Sequence, residues 1–381
     1  MTETNFKHTE IGLIPHDWEV KNIKDCFDFK QGVQCAVNLQ SLQQTDGTVR
    51  FIRIVDLTQP DELPRYIADP GVSHHVKKDD LFMVRYGSPG LVGYGYEGVI
   101  ANNLFRLLPK IDICSKLYKY ILTDLHDEIV ALSSSSTMPA VNFTALSMLQ
   151  LPLPPTIAEQ ERIAGALSSI DTLIGALTEQ IEKKRHIKQG AMQQLLTGKK
   201  RLAGFTGAWK EVRLGDNCAI TTGHKDVNIA VPNGQYNFYT CSRDVYKANT
   251  YSFDTEAILI AGNGDVGNLH YHKGKFEVYQ RTYVLYDFKA DVQYILHNLA
   301  WNLITHLKQG VVGSTIPYIV IGQLLDYPLV LPPTIAEQSA IAAVLSGMDT
   351  EIAALEQKRD KYIAIKSGMM QDLLTGKIRL V

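Results

Sequence analysis

"LPPTIAEQ" occupies Leu153–Gln160, and the same eight residues recur at Leu331–Gln338. The match is longer than the octet. At a constant offset of 178, residues 153–203 align with residues 331–381 without a gap, with 30 identities in 51 positions. Each copy reads as one long helix. Thr156-Ile157-Ala158-Glu159 and Thr334-Ile335-Ala336-Glu337 have the T-x-x-E form of a capping box: threonine accepts from the third backbone N–H while glutamate reaches back to the threonine N–H. The prolines just upstream stop whatever precedes. Gly198 and Gly376, in "LLTGK", suit the left-handed residue past a helix end. About 40 residues lie between these signals, roughly 60 Å if continuous, which is long for an ordinary globular helix.

The apolar spacing within each copy is that of a coiled coil. Ile163, Leu167, Ile170, Ile174, Leu177 and Ile181 step by fours and threes, and Ile341, Leu345, Met348, Ile352 and Leu355 repeat the pattern. Two seams of matched length favour packing on each other over two helices lying on separate domains. Beyond Leu177 the seam turns mixed, with Lys184, Lys188, Tyr362 and Lys366. Gly190 and Gly368 match between copies; each costs ~1 kcal/mol inside a helix, and marks a kink or a close backbone approach.

Between the copies the composition changes. "TVRFIRIVDL", "DDLFMVRYGS", "GVIANNLFRLLP", "EAILIAGNGD" and "FEVYQRTYVLYDF" are rich in β-branched and aromatic residues and read as strands. "KLYKYILTDLHDEIVAL" and "VQYILHNLAWNLITHL" each read as one helix. Trp18–Gly32 faintly echoes Trp209–Gly223 at an offset of 191, and Ser136-Thr137-Met138-Pro139 faces Ser314-Thr315-Ile316-Pro317. The plan is two α+β domains, 1–152 and 204–330, alternating with two helical regions, 153–203 and 331–381.

Composition excludes several classes. An apolar fraction of 45% is ordinary for a globular protein, and no run approaches the ~20 residues that span a bilayer. The polar start, "MTETNFKHTEIG", has no signal-peptide pattern. Five scattered cysteines (Cys26, Cys35, Cys114, Cys218, Cys241) with no C-x-x-C read as free thiols in a reducing cytosol. The formal net charge of −2 gives no nucleic-acid footprint by itself.

Catalytic motifs are missing. There is no phosphate loop, no H-E-x-x-H, no G-x-S-x-G, and no N-P-P-Y or D-P-P-Y tetrapeptide of the kind amino-methyltransferases use to hold the target amine. Gly262-Asn263-Gly264-Asp265-Val266-Gly267 matches G-x-G-x-x-G after a strand. A dinucleotide fold needs a helix straight after it, and "NLHYHKGKFEVYQ" is not helical in pattern, so a glycine-rich turn is the better reading. An oxidoreductase rests on that fingerprint alone. His74-His75 and His270-x-His272 lack a third ligand at metal-binding spacing and read as surface histidines.

Duplicated helices suit two copies of one partner, and two unlike domains suit two unlike ligands held at a set separation, as in a bipartite nucleic-acid site. Here the residues resemble a family. The "LPPTIAEQ…IAxxLSxxDxxI…LLTGK" segments are similar to the conserved regions of the specificity subunit (HsdS) of Type I restriction-modification systems. "PHDWEVKNIKD" and "GAWKEVRLGD" resemble openings of its target recognition domains, and "AILIAGNGDVG" and "RTYVLY" resemble strands within one. "RYGSPGLVG" in the first domain departs from the usual open glycine turn.

The resemblance implies an α+β fold: two recognition domains separated by two long helices packed as an antiparallel coiled coil, with pseudo-twofold, cyclic symmetry. Val381 is then expected near the N-terminus in space. It implies a non-catalytic DNA-binding subunit. Each domain reads one half of an asymmetric split site on double-stranded DNA, and the helices set the spacer and dock two modification (methyltransferase) subunits. S-adenosylmethionine belongs to those subunits, which methylate adenine N6; two restriction subunits add ATP and Mg chemistry. No cofactor or metal is expected in this chain, and its compartment is the cytoplasm. The alternatives are the specificity subunit of a related Type II (B/G-like) complex and a coiled-coil scaffold that binds proteins instead of DNA.

Side chains able to pair with base edges or phosphates are the candidate readers. In the first domain these are Lys30, Gln31, Arg50, Arg53, Arg85, Tyr86, Asn102, Asn103 and Thr137. In the second they are Lys225, Arg243, Asn263, His270, His272, Lys275, Arg281 and Thr315. For the purified chain, the missing motifs predict no methyl transfer from S-adenosylmethionine and no DNA cleavage. Incorporation of labelled methyl groups by the isolated protein would refute this.

Overall fold

The computed structural model describes residues 5–59, 61–133, 139–308 and 318–380. The chain divides into two compact units. One comprises Met1–Ala176 with Arg359–Val381, the other Leu177–Lys358. Both copies of the repeated segment form helices of 39 residues, Ile157–Leu195 and Ile335–Leu373, each about 58 Å long at 1.5 Å per residue. Each helix begins in one unit and ends in the other. Among the described residues, no helix is long and apolar enough to cross a membrane.

In the first unit, the start of the first long helix packs antiparallel to the end of the second. Lys366 pairs with Asp171 at 2.6 Å, and Arg379 bonds Glu159 further along. Tyr120 also donates to Asp171, at 2.7 Å. Burial works to raise the Asp171 pKa, but the bonds from Lys366 and Tyr120 outweigh it and hold the carboxyl low. In the second unit the same register recurs: Lys184–Glu351 at 2.6 Å, Lys188–Asp349 at 2.5 Å and Arg201–Glu337 at 2.6 Å. Lys188–Asp349 is the repeat of Lys366–Asp171, so the lysines of the mixed seam are spent on inter-helix ion pairs. Ile163 and Leu167 are buried with the core of the first unit, beside Trp18, Tyr118, Leu151 and Leu373; Ile341 and Leu345 are buried with that of the second, beside Tyr294, Tyr327 and Leu329. Ile170, Leu177, Ile181 and Ile352 are also buried, whereas Ile174, Met348 and Leu355 are half-buried.

The identical octet performs the same four tasks in each unit. Prolines end a short strand, Gln150–Leu153 or Pro328–Leu331, which pairs antiparallel with Glu19–Asn22 or Lys210–Arg213 respectively. Thr156 and Thr334 accept from the N–H of Glu159 and Glu337, each at 3.2 Å. Glu159 and Glu337, 1% and 0% exposed, do not complete the capping box; arginines take their carboxylates. Arg201 donates from Nε and Nη2 to Glu337, at 2.9 and 2.6 Å. Arg379 bonds Glu159 in the same way and adds Asp17, at 2.9 and 3.0 Å. Finally Gln160 and Gln338, both buried, each bridge a proline carbonyl at 3.0 Å to a backbone N–H at 2.9 Å, that of Cys114 or Asp291.

Past each helix end, Gly198 and Gly376 have φ 69°. They also make room: a Cβ would lie 3.2 Å from Trp209 at Gly198, and 2.4 Å from Pro15 at Gly376. The C-terminal Arg379 and Leu380 thereby pack on the N-terminal Asp17 and Trp18 region, while Val381 lies outside the described residues. Gly190 and Gly368 differ from expectation. Both helices run through them unbroken, and a Cβ there would meet nothing within 4 Å.

The first unit carries two four-stranded sheets. One has the order Arg65–Ala68, Thr48–Ile52, Gly98–Ile100, His75–Val76; the other Phe27–Gln31, Leu104–Pro109, Leu81–Val84, Val92–Gly93. The second unit carries one six-stranded sheet: Ala219–Thr222, Thr282–Tyr286, Phe253–Ala261, Leu269–Val278, Tyr236–Tyr239, Tyr246–Ala248. Among the described residues each unit has one parallel strand pair, Thr48–Ile52 with Gly98–Ile100 and Tyr236–Tyr239 with Leu269–Val278. Two sequence expectations are corrected. "TVRFIRIVDL" is a strand only to Ile52 and turns helical over Ile54–Thr58, where the Asp56 carboxylate caps the Arg53 N–H at 2.9 Å. "KLYKYILTDLHDEIVAL" breaks at Leu125 into Ser115–Asp124 and His126–Ala131.

The buried glutamates make the arginine clamps testable. Arg379→Ala and Arg201→Ala each strand a buried carboxylate and are expected to destabilise their own unit by about 3–5 kcal/mol in urea unfolding. Glu337→Gln, which removes the charge, should cost less. The Arg379 guanidinium also holds the exposed Asp17 carboxyl below its usual range. That contribution is present above pH ~4 and is lost as acid protonates Asp17 in the folded state. Arg379→Ala should flatten this acid-side slope. Unchanged unfolding midpoints in both alanine variants would refute the clamp.

Candidate nucleic-acid interface

The candidate residues of the first unit gather around two hydrogen-bonded turns. The first is closed by Val84 N–H to the Leu91 carbonyl at 2.8 Å and Gly90 N–H to the Val84 carbonyl at 2.9 Å. Gly87 and Gly90 have φ 99° and 83°. The second is a tight turn, Leu104 N–H to the Ala101 carbonyl at 2.9 Å, with Asn102 and Asn103 at its tip. Arg85 N–H donates to the Asn103 carbonyl at 2.8 Å and ties the turns together. The Arg85 guanidinium lies 4.4 Å above the Phe143 ring and donates to Gln31 at 3.3 Å, and Gln31 bonds the Asn102 carbonyl. Gln31, Arg85, Tyr86, Asn102 and Asn103 thus form one half-buried patch.

The remaining candidates of this unit are engaged elsewhere. Lys30 donates to the Ser73 carbonyl at 2.7 Å. Arg53 caps the helix it precedes and pairs with Asp56 at 3.1 Å and Glu62 at 3.3 Å. Arg50 sits 5.6 Å from the Tyr96 ring and 3.6 Å from Asp56. Thr137 and Thr315 lie outside the described residues.

The glycine run of the second unit is also a closed turn. Ala261 N–H donates to the Asn268 carbonyl and Gly267 N–H to the Ala261 carbonyl, both at 2.9 Å. Gly264 and Gly267 have φ 63° and 79°. This is the bonding of the first unit's turn, so "RYGSPGLVG" departs from "AGNGDVGN" in side chains and not in backbone. The chain leaves this turn as the strand Leu269–Val278, so the dinucleotide fingerprint lacks its helix. Thr282 N–H closes the second turn on the Tyr279 carbonyl at 2.9 Å, with Gln280 and Arg281 exposed at its tip, and Gly262 N–H ties the two turns through the Arg281 carbonyl at 3.0 Å.

Asn263 lies on the glycine turn and Arg243 is exposed. A shallow cleft of about 440 Å³ beside them is lined by Val227, Cys241, Ser242, Gly264 and Asp265. His270 shares the Ser242 carbonyl at 3.1 Å and Asn268 at 3.0 Å, and His272 meets the Tyr239 hydroxyl at 3.0 Å. Burial pushes the Tyr239 phenol up. Lys275 lies 4.6 Å above Tyr251. The Lys225 carbonyl accepts from Gln280 N–H at 2.9 Å. His75 pairs with Asp69 at 2.8 Å, and among the described residues no three His, Cys, Asp or Glu side chains converge as a metal site. Ser88, Asp265 and Gln280 stand on the same turns but are not among the sequence candidates, although Ser88 and Asp265 lie within the glycine-rich stretches noted there. Their signal is the offset of 177 or 178, which at these turns shows as the glycine pairs Gly87–Gly264 and Gly90–Gly267.

The tied turns of each unit thus present half-buried and exposed polar side chains. Comparison with known proteins gives the family. Residues 15–184 and 207–364 each match the Type I restriction modification DNA specificity domain, and the chain belongs to that family. The EcoDI specificity subunit of Escherichia coli is 35% identical over 167 residues, 44% of this chain and 37% of that protein. The MjaVIII specificity subunit of Methanocaldococcus jannaschii is 24% identical over an alignment of 418 positions, covering 99% of this chain and 97% of the other. The fold is that of the crystallised S subunit of a Type I restriction-modification system from M. genitalium, with a TM-score of 0.69 at 16% identity, covering 98% and 97% of the two chains.

The turns depend on two glycines with no room for a side chain. A Cβ on Gly32 would lie 2.2 Å from the Ala101 carbonyl oxygen, and one on Gly223 2.2 Å from that of Val278. Gly223→Ala is expected to cost roughly 1–3 kcal/mol and to raise hydrogen exchange at Thr282 and Gly262, leaving the first unit unchanged; Gly32→Ala should do the converse. Wild-type protection in both variants would show that the contact is not tight.

Proposed function

We propose that residues 1–152 and 204–330 are two target recognition domains, each reading one half of an asymmetric, split DNA sequence. Residues 153–203 and 331–381 are the conserved helical regions, which set the spacer and dock two modification subunits. The observation that carries this reading is the repetition, in both units, of one backbone framework with different side chains at its tips. Equal frames present two ligands in equal poses; unequal tips distinguish them. The reaction chemistry, with its S-adenosylmethionine and ATP, resides in the partner subunits. The candidate readers are the side chains on and beside the tied turns, together with Thr137 and Thr315.

The net charge of −2 fits this division of labour. Affinity for DNA comes largely from neutralised phosphates. Partners that close around the duplex supply much of it, and this chain places a few side chains in the grooves. A protein-binding scaffold explains the helices equally well but gives no reason for two unlike sets of Asn, Gln and Arg on matched turns.

The test is the map of methylated bases in a host expressing this chain with its modification subunit. A bipartite motif is expected. Deleting one heptad from both helical regions shortens each helix by ~10 Å, about three base pairs at ~3.4 Å each. The spacer should shrink while both half-site sequences persist. An unchanged spacer in a folded variant would refute the ruler.

A further inference from the structure

The two units share the backbone hydrogen bonds that build and tie these turns, and this sorts their side chains. The hydrogen bonds of the glycine turn recur, Val84 to Leu91 as Ala261 to Asn268, and so do those that tie it to its neighbours. Gly90 to Val84 corresponds to Gly267 to Ala261, and Arg85 to Asn103 corresponds to Gly262 to Arg281. Gly32 to Leu104 (2.9 Å) corresponds to Gly223 to Thr282 (3.2 Å), and Leu104 to Ala101 corresponds to Thr282 to Tyr279. Val141 to Arg85 corresponds to Ile319 to Gly262, both at 2.8 Å. This correspondence pairs Tyr86 with Asn263, Ser88 with Asp265, Asn102 with Gln280, and Asn103 with Arg281.

What is alike in the pairing is frame. Gly32 and Gly223, Gly87 and Gly264, and Gly90 and Gly267 match as glycine, required by contact or by positive φ. Arg85 and Gly262 differ, yet both lie inside the frame: the Arg85 guanidinium is stacked on Phe143, and a Cβ on Gly262 would lie 2.5 Å from the Arg281 carbonyl oxygen. What is unlike and outward is the four pairs. Each side chain is half-buried or exposed. Their chemistry is that of base readers: Arg is bidentate to guanine, Asn and Gln are bidentate to adenine, and Asp accepts from cytosine N4.

We infer that these four pairs are specificity-determining positions, so that Tyr86, Ser88, Asn102 and Asn103 set one half-site and Asn263, Asp265, Gln280 and Arg281 set the other. This rests on the reading of the chain as the DNA-recognition subunit. Arg281 points to a guanine, and Asn102, Asn103 and Gln280 to adenines.

The experiment is the methylated-base map of the complete complex carrying Arg281→Asn, Arg281→Lys or Asn103→Arg, with thermal unfolding of each variant. Arg281→Asn should relax or change one base of one half-site by about tenfold or more, leaving the other half-site and the spacer intact. Arg281→Lys keeps the charge but loses the bidentate fork, and should relax the same base. Asn103→Arg should change the opposite half-site. A folded set whose maps all equal the wild type overturns the inference, as does a uniform loss of methylation that Arg281→Lys restores, the mark of a phosphate contact. If the wild-type complex itself methylates no bipartite motif, the functional reading fails instead.

Discussion

Two buried carboxylates hold this chain together. Glu159 and Glu337 open the two long helices, and each is met by an arginine lying just beyond the end of the other helix. A carboxylate at a helix N-terminus is favoured by the aligned peptide dipoles, but burying it demands a partner in place. Only the antiparallel pairing of one helix start with the other helix end supplies that partner. Each unit therefore needs both copies of the repeat, and the clamp sets the register of the helix pair. The ion pairs at Asp171 and Asp349 keep that register further along.

Upon this common base each unit builds an α+β layer whose core merges with the helices. Trp18 and Trp209 seat on the glycines that terminate them, and Tyr118 and Tyr294 reach the carbonyls of Pro152 and Val330 at 3.1 and 2.7 Å. The duplicated side-chain contacts lie at the base, while at the turns the backbone bonds still match and the side chains differ. Such a division lets side chains at the tips vary at little cost to folding, because loop tips carry few buried contacts. The first unit departs from the second where its chemistry allows: Asp17 joins the Arg379 clamp, whereas Ala208 stands at the matching place and Arg201 turns to the Gly207 carbonyl at 2.7 Å.

Where expectation and structure part, local rules yielded to tertiary contacts. The capping boxes are half-formed because a charged arginine competes for glutamate better than a backbone N–H does. Gly190 and Gly368 mark neither a kink nor a close approach, since 39-residue helices buried at each end in a unit's core tolerate a ~1 kcal/mol propensity loss. "RYGSPGLVG" folds like "AGNGDVGN" because closure needs only left-handed glycines three residues apart, and both stretches provide them.

From the sequence alone came the duplicated helices, their caps and ends, the alternation with α+β regions and the absence of catalytic motifs. These are local or repeated signals: periodicity, glycine and proline punctuation, and identity at a constant offset. The candidate interface was legible only in part. Asn102, Asn103, Asn263 and Arg281 stood out by chemistry, but so did Lys30 and Arg53, which the fold spends on a carbonyl and on two carboxylates. Ser88 and Asp265 sit in glycine-rich stretches that the sequence marks without singling them out, and Gln280 carries no local signal. Which polar side chains face outward together is decided by strand register and by bonds between turns distant in the chain, and one-dimensional spacing does not record those.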